Sequence, residues 1–181
     1  MGANLAENLA RAGFGKLKVI DRDRIEERNL STQSYYRSDV DAFKARLLAN
    51  NLYRAIGTKV EAETKALTEA NAAQLLKGSG LIVDVFDNST SRQVVKEYGN
   101  RTEIPCLHAG LSADYAEIIW NEVYRVPSDV NDDVCDYPLA RNSVMLTVAV
   151  ACEAIVSFVA TGEQRHCTIT LKDLSIQSLK L

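Results

Sequence analysis

The sequence predicts an α/β fold: a mostly parallel sheet with helices on both faces and an antiparallel extension in the C-terminal half. Three observations carry this expectation. Short apolar runs alternate with helix-patterned stretches up to about residue 110. The run Leu81-Ile82-Val83-Asp84-Val85-Phe86 is apolar enough for a central parallel strand, covered on both faces. Beyond residue 110 the alternation stops and neighbouring extended segments follow one another, which suits antiparallel pairing.

Each element has a local reason. Residues 3–12 read as a helix, leading through Gly13 and Gly15 into a strand over 17–20 that ends on Asp21 and Asp23. Residues 41–56 form a second helix, because Phe43, Leu47, Leu48 and Leu52 fall on one broad stripe, and Gly57 stops it. A half-polar strand over 59–64 precedes a helix over 68–77, with Thr68 as its cap and Gly78 as its stop. After the apolar strand, Asp87, Asn88 and Ser89 end the run and can cap a helix over 91–98. A strand over 105–109 comes next, followed by Gly110. Residues 116–120 and 121–126 read as adjacent extended segments, and 127–137 as an acidic, turn-rich exposed loop. The stretch 143–160 is apolar and nearly long enough to span a bilayer. Glu153 inside it favours a core helix with the acid turned to an edge. Residues 167–171 and 174–176 make a closing strand pair. Without repeats, low-complexity tracts or linkers, one domain over 1–181 is the economical organisation.

Composition narrows the function. A net charge of -3 offers no general attraction for nucleic acid. Apolar residues at 46% and charged residues at 25% fit an ordinary globular chain, and a reducing cytoplasm is the default compartment. Cysteines 106, 135, 152 and 167 contain no C-x-x-C pair, so a closed zinc site is not expected; nor is a disulfide framework, since the chain is large enough to manage without one and shows no secretory start.

In open parallel sheets, ligands bind beyond the carboxyl ends of the strands. Three clusters fall there. Asp21 and Asp23 end the first strand, where a carboxylate can accept both hydroxyls of a ribose; they equally suit a plain polar strand end. Arg28, Asn29 and Gln33, with Lys44 a short distance on, could face phosphates; most helix lysines are merely solvated. Asp87 and Asn88 end the most apolar strand, where an acid can hold Mg²⁺ or simply cap a helix.

Taken together, LAENLARAGFGKLKVIDRDRIEERNLSTQ, then D-x-x-x-K, then LIVDVFDN, resemble the ThiF/MoeB family of ubiquitin-activating-type adenylyltransferases, from Gly2 to about residue 125 and more loosely to Gly162. The resemblance implies a Rossmann-like nucleotide-binding domain that uses ATP and Mg²⁺. It also implies adenylation of the C-terminal glycine carboxylate of a small ubiquitin-like or sulfur-carrier protein ending in Gly-Gly, in a homodimer. By the family pattern Asp21, with Asp23 nearby, contacts the ribose; Asn29 and Gln33 line the phosphate path; Lys44 contacts phosphate and Asp87 helps place the metal. Arg28 and Asn88 stand beside these positions.

Three departures from the family accompany the match. The family opens with a strand and a G-x-G-x-x-G turn that cradles phosphate, and only Gly2 corresponds to it here, so the first strand and most of the glycine loop are expected to be missing. Thr32 stands where the family has arginine, leaving Arg28 or Arg37 to reach the phosphates. The paired zinc cysteines are absent. Cys135 is the positional candidate for a thioester acceptor, although Asp132, Asp133 and Asp136 disfavour its thiolate; Cys106 and Cys152 read as core residues. His108 and His166 read as structural. A non-catalytic partner subunit is the main alternative, favoured by Thr32 and the missing loop. A nicotinamide or flavin oxidoreductase would leave R-N-L-x-x-Q unexplained.

Overall fold

The computed structural model describes residues 1–127 and 140–179. Its helices are α1 (Gly2–Arg11), α2 (Lys44–Ile56), α3 (Glu69–Leu76), α4 (Ser89–Thr102) and α5 (Ala140–Thr161). Its strands are β1 (Leu17–Ile20), β2 (Val60–Glu63), β3 (Ile82–Asp84), β4 (Cys106–Ser112), β5 (Tyr115–Trp120), β6 (His166–Thr170) and β7 (Ser175–Leu179).

The strands form two sheets. β1 and β2 run parallel with Leu17 opposite Val60; β3 to β7 lie in sequence order. In the larger sheet β3 and β4 are parallel and every later pair is antiparallel. The predicted α/β character and the C-terminal antiparallel extension are both present.

Alternation along β4 distributes its residues between two layers. Leu107 and Ala109 enter a core with Trp120, Ile118 and the inner residues of α1 and α5. Cys106 points the other way, into a cluster with α3 and α4. A third cluster packs Ala10 of α1 against Leu48 and Leu52 of α2, over Val19 and Val60. The helix α5 is long and apolar enough to cross a membrane by length and composition. Here it contributes Val144, Val148, Ala151 and Ile155 to the main core, and Glu153 is exposed.

Several boundaries differ from the sequence expectation, each for a physical reason. The second helix begins at Lys44, not at residue 41. Asp41 is left-handed (φ 73°), Ile25 and residues 41–42 exchange backbone hydrogen bonds, and Arg24 bridges to Phe43. Extended pairing therefore holds the chain until Lys44, whose N–H donates to the Asp23 carbonyl at 3.0 Å. β4 runs through Gly110 to Ser112 and joins β5 through a tight turn with Ala113 at φ 50°. Gly110 does not end the strand; a Cβ there would lie 3.3 Å from the Arg92 guanidinium, so its bareness admits that side chain. Residues 121–126 are not a strand. The amides of Val123 and Tyr124 turn back to the Trp120 carbonyl, and the Asn121 side chain is drawn inward to His108. α4 starts at Ser89 and runs to Thr102, longer than expected, with Asn88 Oδ1 accepting the Ser91 N–H at 2.8 Å.

Candidate functional site

A cavity of about 1450 Å³ opens beyond the carboxyl ends of β1 and β3 and continues between the two sheets. Its apolar depth includes Leu5, Leu9, Leu17 and Val83, and its mouth is polar. Gly2, Asp21, Asp23, Arg28, Asn29, Gln33, Lys44, Asp87 and Asn88 all line it. These nine residues span Gly2 to Asn88 in the chain, and folding brings every one to a single opening. The tenth candidate, Cys135, lies outside the described residues.

The acidic end is ordered by backbone geometry. Asp21 Oδ1 accepts the Asp23 N–H at 2.8 Å, turning the chain just after β1. Lys44 Nζ lies 3.5 Å from Asp23 Oδ2 with its side chain 14% exposed, so the cation is held at the site by the start of α2. Burial pushes the Asp21 carboxyl above its usual range. The Asp23 amide and Lys44 act against that shift, while the charges of Asp23 and Asp87 add to it. Asp87 therefore shares an electrostatic field with the β1 end across the cavity.

The wall between β1 and α2 is a short 3₁₀ turn over Glu27–Ser31. Asn29 is buried and its Oδ1 accepts the Glu26 N–H at 3.0 Å, so this side chain shapes the turn. The Gln33 N–H donates to the Asn29 carbonyl at 2.9 Å. Arg28 reaches back to Glu26 at 2.7 Å. Arg37, the other cation considered near position 32, is 3.6 Å from Glu27 and strongly exposed; it does not line the cavity.

Three contributors escape sequence reasoning. Asn4 is buried in α1, donates to the Thr32 carbonyl at 2.9 Å and accepts from Ser34 at 3.0 Å, tying α1 to the wall. Tyr35 is buried at the cavity with its hydroxyl 3.5 Å from the Lys44 carbonyl; burial, then the charges of Asp21 and Asp39, raise its pKa. Arg92 is buried on the inner face of α4 with Val95 and Tyr98, a polar residue on an apolar stripe that could have signalled its role.

Among the described residues, no group of three or more His, Cys, Asp or Glu is disposed to hold a metal. The exposed Asp87 carboxylate receives a long contact from Asn88 Nδ2, 3.4 Å. A single open carboxylate suits Mg²⁺, which keeps several waters and takes one or two carboxylates together with phosphate oxygens.

The ThiF family model matches residues 1–161. The chain belongs to the ThiF family. A ThiF-family relative, the sulfur carrier protein ThiS adenylyltransferase of Bacillus subtilis, is 32% identical over 120 residues, covering 64% of this chain and 35% of that protein. The sulfur carrier protein adenylyltransferase of Thermus thermophilus is 35% identical over 100 residues, covering 54% of this chain and 36% of that protein. The chain thus matches about a third of the length of these curated relatives. Among solved structures, E. coli MccB with ATP superposes with a TM-score of 0.80 at 18% identity, over 99% of this chain and 60% of that one. PaaA superposes with a TM-score of 0.75 at 18% identity, over 99% and 69%.

Proposed function

We propose that this chain binds ATP with Mg²⁺ and adenylates the C-terminal glycine carboxylate of a small ubiquitin-like or sulfur-carrier protein ending in Gly-Gly. The observation that carries the reading is the convergence of Asp21, Asp23, Asn29, Gln33, Lys44 and Asp87 on one cavity beyond the strand ends. Two curated relatives are named as sulfur carrier protein adenylyltransferases, and the solved MccB structures include complexes with ATP and with MccA.

The reaction needs alignment more than proton transfer. The carrier carboxylate attacks the α-phosphorus, a new C–O–P linkage forms, and the bond to the β-phosphate breaks with release of pyrophosphate. An anion must approach a polyanion, so the protein's task is to hold both and screen their repulsion. Asp21 takes the ribose hydroxyls in its ionised form. Lys44, held at the opening by Asp23, offers three N–H donors to phosphate. Gln33 and Asn29 line the path, Gly2 lines the cavity at the start of α1, and Arg28 and Asn88 flank it. Asp87 is the carboxylate for Mg²⁺, which when bound supplies charge neutralisation on the phosphates.

The finer reading follows the same line: one ThiF-type domain over 1–181, a cytoplasmic homodimer, no zinc, and neither nucleic acid nor membrane as partner. Cys135 stands as thioester acceptor on its place in the sequence alone. A second reading, a non-catalytic partner subunit, is favoured by Thr32. That residue is buried and uncharged, and its carbonyl is occupied by Asn4. Exchange of labelled pyrophosphate into ATP, stimulated by a carrier ending in Gly-Gly, tests the two. Adenylation predicts exchange that Asp87→Asn abolishes; a chain that binds ATP without exchange is the partner subunit.

A further inference from the structure

Beneath the cavity, between β3, β4, α4 and the chain after β5, lies a closed polar cluster that no step above uses. Asp84 and His108 are fully buried, and Arg92 and Asn121 nearly so. His108 Nδ1 is 2.7 Å from Asp84 Oδ2, and its Nε2 is 2.8 Å from Asn121 Oδ1. The Tyr124 ring stacks on the imidazole at 3.7 Å between centroids, tilted by 8°.

We propose that His108 is held as an imidazolium and acts as a positioning residue, fixing through Asp84 the β3–α4 turn that carries Asp87. The role in positioning rests on the nucleotide-site reading above; the charge state does not.

The hydrogen bonds carry the charge assignment. Asn121 Nδ2 donates to the Lys96 carbonyl at 3.3 Å, and also to Asn100 Oδ1. A carbonyl can only accept, so Asn121 must turn its own oxygen toward His108. On the other side Asp84 is surrounded by donors. Its Oδ1 accepts the Phe86 N–H at 3.0 Å, and its Oδ2 faces both His108 and Arg92 Nη1, the latter at 3.7 Å. With Asp84 as the carboxylate that the Phe86 N–H and Arg92 surround, both ring nitrogens meet acceptors, and the doubly protonated ring satisfies both. A neutral ring beside that carboxylate would set a bare nitrogen against an oxygen acceptor, the Asn121 amide or Asp84 according to the tautomer, at the cost of an unsatisfied buried polar group.

The other charged and titratable groups packed around the ring agree. From α4 come Arg92, which also donates to the Tyr124 hydroxyl at 2.9 Å and the Ala109 carbonyl at 3.3 Å, and Lys96, which donates to the Tyr124 carbonyl. Cys106 of β4 stays a neutral thiol, pushed up to about 12 by burial and then by the charge of Asp84. Glu117 of β5 adds its negative charge at Tyr124, whose own phenol is raised first by burial.

The same carboxylate reaches the site through the backbone. Asp84 Oδ1 holds the Phe86 N–H, Asp87 follows directly, and Asn88 caps α4 while its carbonyl accepts the Arg92 N–H. The turn is thus clamped at its start by Asp84, which faces His108 and Arg92, and at its end by the first turn of α4. Removing the imidazolium frees one end of the turn.

Two measurements on the full chain test this. In ¹⁵N-histidine-labelled protein, His108 should show two protonated ring nitrogens at neutral pH. A single unprotonated nitrogen overturns the assignment, without any reference to nucleotide. In His108→Gln, the Mg²⁺ concentration needed for half-maximal ATP binding should rise roughly 10- to 100-fold, as for outer-shell partners of ligands, with AMP binding unchanged. An unchanged Mg²⁺ requirement in a folded variant overturns the positioning role. If the parent chain itself binds no Mg²⁺·ATP, the nucleotide reading fails and takes that role with it, while the ring-nitrogen spectrum still decides the charge.

Discussion

Asp84→Asn separates the electrostatics of the buried cluster from its shape. Asparagine keeps the volume and keeps an oxygen for the Phe86 N–H, so the local turn retains its bond. What it removes is the counter-charge for two buried cations, His108 at 2.7 Å and Arg92 at 3.7 Å. Both are within a tenth of full burial, so water cannot replace the lost partner. Breaking a buried pair by removing one member costs about 3–5 kcal/mol, a large part of the 5–15 kcal/mol that stabilises a typical domain. With a urea slope of about 2 kcal/mol/M, the unfolding midpoint should fall by roughly 1.5–2.5 M. The assay is urea unfolding at neutral pH, followed by tryptophan fluorescence, since Trp120 is fully buried in the adjoining core. A fall of less than about 0.5 M with unchanged slope would refute the reasoning, because Asp84 would then carry no net charge worth removing. In a His108→Gln background the same substitution should cost less, by about 0.5–3 kcal/mol, the range for coupled neighbours.

Other outcomes follow from single features. Cys106, fully buried and with its thiol pushed up to about 12, should resist alkylation by iodoacetamide in the folded chain at mildly alkaline pH; mass spectrometry showing rapid modification before unfolding would contradict this. Asp21 has a folded-state pKa raised above its ordinary 3.8, chiefly by burial, so its contribution to folding is full below that ordinary value and is lost as pH rises through the raised one. On the proposed reading nucleotide binding would run the opposite way, because ribose hydroxyls would donate to the ionised Asp21 carboxylate. Affinity for AMP should therefore weaken as pH falls through the raised range and become flat in Asp21→Asn; an identical pH profile in both proteins would remove Asp21 from the ribose site.

Nine of the candidate residues that the sequence picks out meet at one cavity, and the fold class is legible too; the element boundaries are not. Asp21, Lys44 and Asp87 are legible because strand ends, a lysine at a fixed interval and an acid after an apolar run each leave a local pattern. Element boundaries depended on distant partners. The start of α2 is set by Ile25 and Arg24 pairing with residues 41–43, and no periodicity in 41–56 contains that contact. Gly110 looks like a terminator until Arg92 is seen against it. Residues 121–126 look extended because nothing local reveals that Asn121 turns inward to a histidine on β4. Arg92 itself sits at a core-facing helical spacing with Val95, the one sign in the sequence that a charge is buried there.

The most direct test of adenylation is the intact mass of the carrier. The chain, ATP, Mg²⁺ and a small carrier protein ending in Gly-Gly are mixed, quenched in acid and analysed by mass spectrometry. The account predicts a carrier heavier by one adenylyl group, absent when its C-terminus is amidated and absent with Lys44→Ala or Asp87→Asn. A carrier of unchanged mass, in a mixture where the chain is seen to bind ATP, would contradict it.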